Sequence, residues 1–379
     1  MITCQRDQFD IPDEISYLSA ASYAPLPNSV REAGHVGVER KGRPWLVTAS
    51  DRKTINEEAR AAAAALMSAS PDCIGLIPSV SYGITTAAHI LPVAAGTRIL
   101  VLENDHASPV LAWHARAEAG GYTVETIATP ANGDWTSAVR DAIARPGAPP
   151  VSIASISLVH WSDGCLLDMA TIAEDLHRQD AKLVVDATQA IGAMPVDVAT
   201  FDPDVLVFPT YKWVLGPYGR AFVYVAERHH DAHPVEQAAP ARSKVSSEDL
   251  PYFEDLAYRE TARRFDMAEL DHYITMDMAT TGMRFVGGLG PDNVSTYIGA
   301  LTEALAARLD GPRVPDARFR TPHILSLDVG VDRAKPAATA LAARGIHVAA
   351  RLGRLRVAPH IYNDQRDIDR IATALTEIL

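Results

Sequence analysis

A chain of 379 residues is too long for one small core and fits either one large α/β domain or two domains. Hydrophobic residues at 47% and charged residues at 22% are ordinary for a globular protein. A formal net charge of -12, with no run of Lys and Arg, argues against a nucleic-acid surface. No segment is apolar for long enough to span a bilayer, and "MITCQRDQFDIPDEI" lacks the apolar core of a signal peptide, so a soluble cytoplasmic protein is expected.

In chain order, "ISYLSAASYAPLP" reads as a short strand that breaks into a small-residue loop and a proline turn. Lys53 to Ser68 is a helix by alanine content. Strand and helix signals then alternate: "CIGLIP" before "YGITTAAHIL", "TRILVLEN" before "VLAWHARAEAG", and "YTVETIA" before a helix around Thr136 to Ala144. "PVSIASISLV" precedes "MATIAEDLHRQD", and "AKLVVD" is followed by "PDVLVFPT" and "RAFVYVA". Such apolar strands, flanked by helices, predict a mostly parallel sheet covered on both faces, with ligands at the carboxyl ends of its strands.

Polar sequence without clear periodicity runs from Glu227 to about Glu260. Beyond it come helices at about Met267 to Val286 and Val294 to Leu309, the strand "HILSLDVG", a helix from Lys335, the strand "RLRVAP" and a last helix ending at Leu379. The expected division is an α/β large domain over 26–260 and a smaller α+β domain over 261–379, with residues 1–25 packing on the smaller one. Cys4, Cys73 and Cys165 are odd in number and far apart, with no CxxC pairing, so reduced thiols are expected and no metal site.

The chain has six lysines, and only Lys212, in "VFPTYKWVLGPYG", lies just past the end of a strongly apolar strand. A partly desolvated amine there would have a lowered pKa and could form a Schiff base with a carbonyl; the plain alternative is a stem packed on Trp213 with its head in water. Asp186, in "LVVDATQAIG", ends another apolar strand, where it would pair with a buried cation or cap the next segment. Ser79 and Ser81, in "IPSVSYGITTAAHI", open a helix whose amides suit a phosphate, without the glycine spacing of a nucleotide loop. His106, in "LENDHASPVLAW", follows a third strand and would stack on a flat cofactor or serve as a loop residue.

Taken in order, "PSVSYG", "ENDHASPVLAW", "VHWSDG", "VVDATQAIG", "YKWVLGPYG", "RRFDMAE" and "RLRVAPHIYND" resemble the class V aminotransferase family of fold type I pyridoxal-phosphate enzymes, over nearly the whole chain. The resemblance implies that Lys212 is the internal aldimine lysine, that Asp186 pairs with the pyridinium nitrogen and that Gln189 approaches the ring hydroxyl. It places His106 over the ring face, Val80 and Ser81 at the phosphate, and Arg356 on the substrate α-carboxylate, with Ala21 and Ser22 of "SAASYAPLP" also on the substrate side. Where many relatives carry Ser, Gly and His before the lysine, this chain has Pro209, Thr210 and Tyr211, so phosphate binding is expected to fall partly to Tyr211 with Thr210. The common asparagine near the ring hydroxyl appears as Trp161, and Ala268 and Glu269 replace the pair that reaches the partner's phosphate in cysteine desulfurases.

"GIHVAARLGRLRVAP" lacks the persulfide-forming cysteine that desulfurases place before the arginine motif, so that activity is not expected. The resemblance favours a β-eliminating C–S type lyase acting on an α-amino acid in a homodimer, with transamination, epimerisation or kynureninase-like hydrolysis as alternatives. A catalytically silent binding protein would lack at least one of Lys212, Asp186 and Arg356, and all are present.

Overall fold

A computed structural model describes residues 2–245, 251–309 and 314–379. The chain opens with strand β1 (Ser16–Tyr17) and helices α1 (Asn28–Gly42) and α2 (Ala49–Ala65). Thr48 and Asp51 form a reciprocal capping box at the start of α2, which satisfies amide donors the helix itself leaves open.

The alternating segment follows as β2 (Ile74–Ile77), α3 (Val80–Ile90), β3 (Arg98–Leu102), α4 (Ala107–Gly120), β4 (Thr123–Ile127), α5 (Trp135–Ile143), β5 (Val151–Ser157), α6 (Met169–His177), β6 (Lys182–Asp186), β7 (Val205–Pro209) and β8 (Ala221–Val225). These strands form one seven-stranded sheet in the order β2-β8-β7-β6-β5-β3-β4. It is parallel from β7 through β4, while β8 runs antiparallel to both β7 and β2. Alternate residues enter separate cores on the two faces: Leu183, Val185, Leu206 and Phe208 on one, Val184, Val205 and Val207 on the other. Because both faces are buried, the strands read as continuous apolar runs.

The stretch without clear periodicity contains an antiparallel pair, β9 (Arg242–Val245) and β10 (Phe253–Tyr258). Next, Asp266 accepts hydrogen bonds from buried Arg60 of α2 and from the Leu76 amide of β2. Helix α7 (Tyr273–Leu289) then packs against α1 and α2.

The remainder comprises α8 (Pro291–Ala306), β11 (Leu325–Asp328), α9 (Val331–Ala342), β12 (Ile346–His347), β13 (Ala349–Arg351), β14 (Arg354–Val357) and α10 (Gln365–Ile378). Strands β11, β14 and β13 make an antiparallel sheet with β14 in the middle. Residues of α8, α9 and α10 share a core with it. β1 pairs in parallel with β12, and Ser19 bridges to Ala358, which straps the N-terminal segment onto this unit. Helix α9 begins at Val331, ahead of the expected Lys335, and carries Pro336 within it. Among the described residues no helix is long and apolar enough to cross a membrane.

Candidate active site

Strands β5, β6 and β7 end side by side, and their carboxyl ends meet the amino ends of α3 and α4 at a small cleft. Val80, His106, Ser108, Ser157, Val159, Trp161, Asp186, Thr188, Gln189, Tyr211 and Lys212 line it. Residues far apart in sequence therefore converge where an open α/β sheet offers a ligand site.

Lys212 is 7% exposed. Burial, then Arg356, lowers its pKa to about 7, with Asp186 opposing and Arg351 adding to the fall. An amine so placed is part neutral at physiological pH, which a nucleophile or base requires. Its Nζ lies 5.5 Å from the Tyr211 ring centroid. Asp186, buried at the last position of β6, accepts the Thr188 amide at 2.9 Å through Oδ1. The local capping role and the cleft position thus coexist.

The loops carrying these two residues brace each other. Gly192, at φ +93°, closes the Asp186 motif, and a Cβ there would lie 2.6 Å from the Trp213 carbonyl oxygen. Only glycine suits both the backbone and that approach. Trp213 Nε1 donates to Gln189 Oε1 at 2.8 Å, while Gln189 Nε2 donates to the Ala21 carbonyl at 3.1 Å. Gln189 reaches the cleft with one amide hydrogen still available. Buried His360 and His323 meet the Trp213 and Gln189 carbonyls at 3.0 and 2.5 Å. Burial lowers their pKa values to about 4 and about 3, so both are neutral struts.

His106 is the N-cap of α4. Its pKa is lowered, first by crowding in the cleft, with Asp186 opposing and Lys212 and Arg356 reinforcing, which leaves a neutral ring. It stands edge-on to Trp161 with centroids 6.0 Å apart. Ser108 Oγ joins Ser81 Oγ at 3.0 Å to His106 Nδ1 at 3.2 Å. Val80 and Ser81 open α3, so amides and hydroxyls gather at positive helix ends.

The expected contribution of the Thr210 hydroxyl is corrected. Thr210 is fully buried, and its Oγ1 donates to the Pro217 carbonyl at 2.6 Å, turned away from the cleft. Past the end of β7 the chain bends, and Tyr211 and Lys212 line the cleft while Thr210 does not. Burial, then Tyr218 and Asp186, raises the Tyr211 pKa, which keeps its hydroxyl a donor.

Arg356, on β14, is 2% exposed. It donates to the Trp161 carbonyl at 2.6 Å and to Ser22 Oγ at 2.7 Å, and its Nε has no partner. Burial, then Arg351, lowers its pKa to about 9. Buried Ala21 precedes Ser22 and is held through Gln189, so the N-terminal strap carries the predicted substrate-side residues to both motifs.

Ser108, Ser157, Thr188 and Arg351 were not singled out from the sequence. Thr188 was within reach, being two positions past Asp186. Arg351 carried no local signal.

Pyridoxal phosphate fits these residues. Thr188 Oγ1 is buried without a partner in the cleft, Lys212 offers a depressed amine, Asp186 offers a buried carboxylate, and the ends of α3 and α4 offer anion donors.

The class-V aminotransferase family model matches residues 39–371. Isopenicillin N epimerase of Amycolatopsis lactamdurans is 25% identical over 394 residues, covering 98% of this chain and 97% of its own. The uncharacterized aminotransferase YcbU of Bacillus subtilis is 27% identical over 323 residues, covering 83% of each chain. Cysteine desulfurases, including one from Enterobacter, are also among the relatives, so the exclusion of that activity gains no support from them. A solved C-DES variant with glycine covalently linked to its PLP cofactor superposes with a TM-score of 0.87 at 18% identity, covering 100% of both chains. The chain therefore belongs to the class-V aminotransferase family, with the fold type I architecture and pyridoxal 5'-phosphate as its cofactor.

Proposed function

We propose that this protein is a β-eliminating lyase of the C–S type acting on an α-amino acid. The observation that carries the reading is Lys212, a buried amine with its pKa near 7, close enough to the Arg356 guanidinium for that charge to depress it further. One group can hold a carboxylate while the other takes the α-proton, because Arg356 is held at 2.6 Å by the carbonyl of Trp161, which lines the cleft with Lys212.

Pyridoxal phosphate, when bound, acts as an electron sink that makes the α-hydrogen of an attached amino acid acidic. Lys212 Nζ would bond its aldehyde carbon, Asp186 would balance a positive ring nitrogen, and Thr188 and Tyr211 would supply hydrogen bonds. Val80, Ser81 and Ser108 would receive the phosphate, and neutral His106 would cover one face.

Arg356 orients the amino acid through its carboxylate, since a planar guanidinium makes two parallel hydrogen bonds. Lys212, as a free amine with its lowered pKa, would accept the α-proton. In elimination the bond from the β-carbon to its substituent breaks, the electron pair leaves with the substituent, and water then yields a 2-keto acid and ammonia. One base suffices for this, whereas inversion at the α-carbon needs a donor on the opposite face. His106 stands in the same cleft, which makes epimerisation the second reading.

We hold that no protein persulfide forms. Cys73 and Cys165 are buried, none of the three cysteines lines the cleft, and burial raises the Cys73 pKa to about 11. A homodimer is part of the reading: Tyr23 and Tyr218 are 57% and 63% exposed beside Tyr211, an aromatic patch that suits a second copy. A monomer at micromolar concentration in sedimentation would remove that part. The two-domain division belongs to the proposal as well, supported by the separate core that β11, β14 and β13 share with α8, α9 and α10.

The deciding experiment incubates the protein with cysteine S-conjugates and plain amino acids in deuterated water. Elimination gives free thiol, keto acid and ammonia at full cofactor retention. Accumulated pyridoxamine phosphate would establish a transaminase instead, and deuterated amino acid of inverted configuration an epimerase.

A further inference from the structure

Beside the cleft, two arginines gather more positive charge than an α-carboxylate requires. Arg351 on β13 and Arg356 on β14 belong to one hairpin, in which Ala349 pairs with Arg356 and Arg351 with Arg354. Cross-strand partners share a face, as do residues two apart, so both guanidiniums project from the same side of the hairpin. They also converge on one atom: Ser22 Oγ lies 2.7 Å from Arg356 Nη2 and 3.4 Å from Arg351 Nη2.

Every remaining partner is neutral, the Trp161 carbonyl for Arg356 and the Ala350 carbonyl for Arg351. Among the described residues neither meets a carboxylate within ion-pair distance; the next arginine on the hairpin, Arg354, pairs instead with Asp328. Burial, then Arg351, depresses Arg356, and burial, then Arg356, depresses Lys212, with Asp186 opposing and Arg351 adding to the fall. Like charges brought together with one fully and one partly buried are costly unless a ligand supplies the anions.

We propose that Arg351 binds a second carboxylate, borne at the end of the substrate's β-substituent, so that the substrate class is an amino acid with an anionic side chain. Arg356 takes the α-carboxylate, Ser22 bridges the two cations, and Arg351 selects the leaving group by charge. The inference rests on the amino-acid reading of the site, and its binding component is independent of which reaction follows.

S-carboxymethyl-L-cysteine and S-carbamoylmethyl-L-cysteine have the same shape and differ in one charge. Calorimetric titration of the holoenzyme with each should show the acid binding roughly 10-fold or more tightly than the amide, the scale of one charge-assisted hydrogen bond. Arg351→Gln should bring that ratio to about 1, and Arg351→Lys should retain part of the preference. A wild-type ratio near 1, or a ratio that survives Arg351→Gln, overturns the proposal. Because the wild-type ratio is itself decisive, the test does not depend on any variant folding. Charge-selective binding without release of thiol would leave this inference standing and remove the lyase reading alone.

Discussion

Replacing Arg356 by Met separates a residue kept for its ligand from one kept for the fold. Arg356 is 2% exposed and holds its charge on two neutral acceptors, with Nε unpaired. Desolvating the cation costs several kcal/mol, and its two hydrogen bonds return roughly 1.5–3 kcal/mol each, so the terms nearly cancel in the ligand-free protein. Met fills similar space without the charge, although the Trp161 carbonyl loses a donor. Unfolding stability of Arg356→Met in urea should therefore stay within about 2 kcal/mol of wild type. The substrate carboxylate, by contrast, would lose its counterion at a cost of about 3–5 kcal/mol, which is a rise in Kd of roughly 100- to 1,000-fold or more. Since Arg356 is the strongest charge depressing Lys212, the Lys212 pKa should also rise, seen as a higher midpoint for acylation of the amine in cofactor-free protein. Loss of several kcal/mol in stability with unchanged amino-acid affinity would refute the reasoning.

In cofactor-free protein Lys212 binds its proton with a pKa of about 7, against 10.5 ordinarily, so between those values the unfolded chain holds a proton that the folded one lacks. Stability should then rise with pH across that window, carry its full penalty below it, and lose the rise in Lys212→Met; parallel Tm-against-pH curves for the two proteins would contradict this. Asp186→Asn can keep the 2.9 Å contact from the Thr188 amide yet removes the charge proposed to balance the ring nitrogen. Steady-state kinetics should show kcat down by roughly 100- to 1,000-fold with cofactor still bound, and an unchanged kcat would deny Asp186 that role. Asp266→Ala removes the buried carboxylate at 2.8 Å from Arg60, which is 1% exposed in its side chain, and leaves it only the more exposed Glu57 at 3.3 Å. Chemical unfolding should register a loss of about 3–5 kcal/mol, and a loss under about 1 kcal/mol would show the pair to be dispensable.

The large sheet was legible because strands buried on both faces leave long apolar runs, and because Lys212, Asp186 and His106 each follow such a run. The paired β9 and β10 were not legible, since exposed strands in polar sequence carry no apolar period. Helix α1 was missed for a related reason. Its buried positions are Val30, Gly34 and Gly37, and glycine counts against a helix when propensity is read alone. Those glycines are explained only by α7: a Cβ on Gly37 would lie 2.6 Å from Ile274 Cα, and one on Gly34 would lie 2.9 Å from Met278 Sδ. The turned-away Thr210 and the unforeseen Arg351 have the same origin, a direction of projection that neighbouring strands decide.

By itself the sequence determined the chemistry on offer: a lysine and an aspartate at strand ends, a helix start for an anion, and an arginine motif near the C-terminus. Those are properties of residue type and local period. Which guanidiniums share Ser22, which hydroxyls stay unpartnered and how far the Lys212 amine is dried were decided only by tertiary structure. Each depends on distances between segments hundreds of residues apart, and no local pattern encodes a distance of that kind.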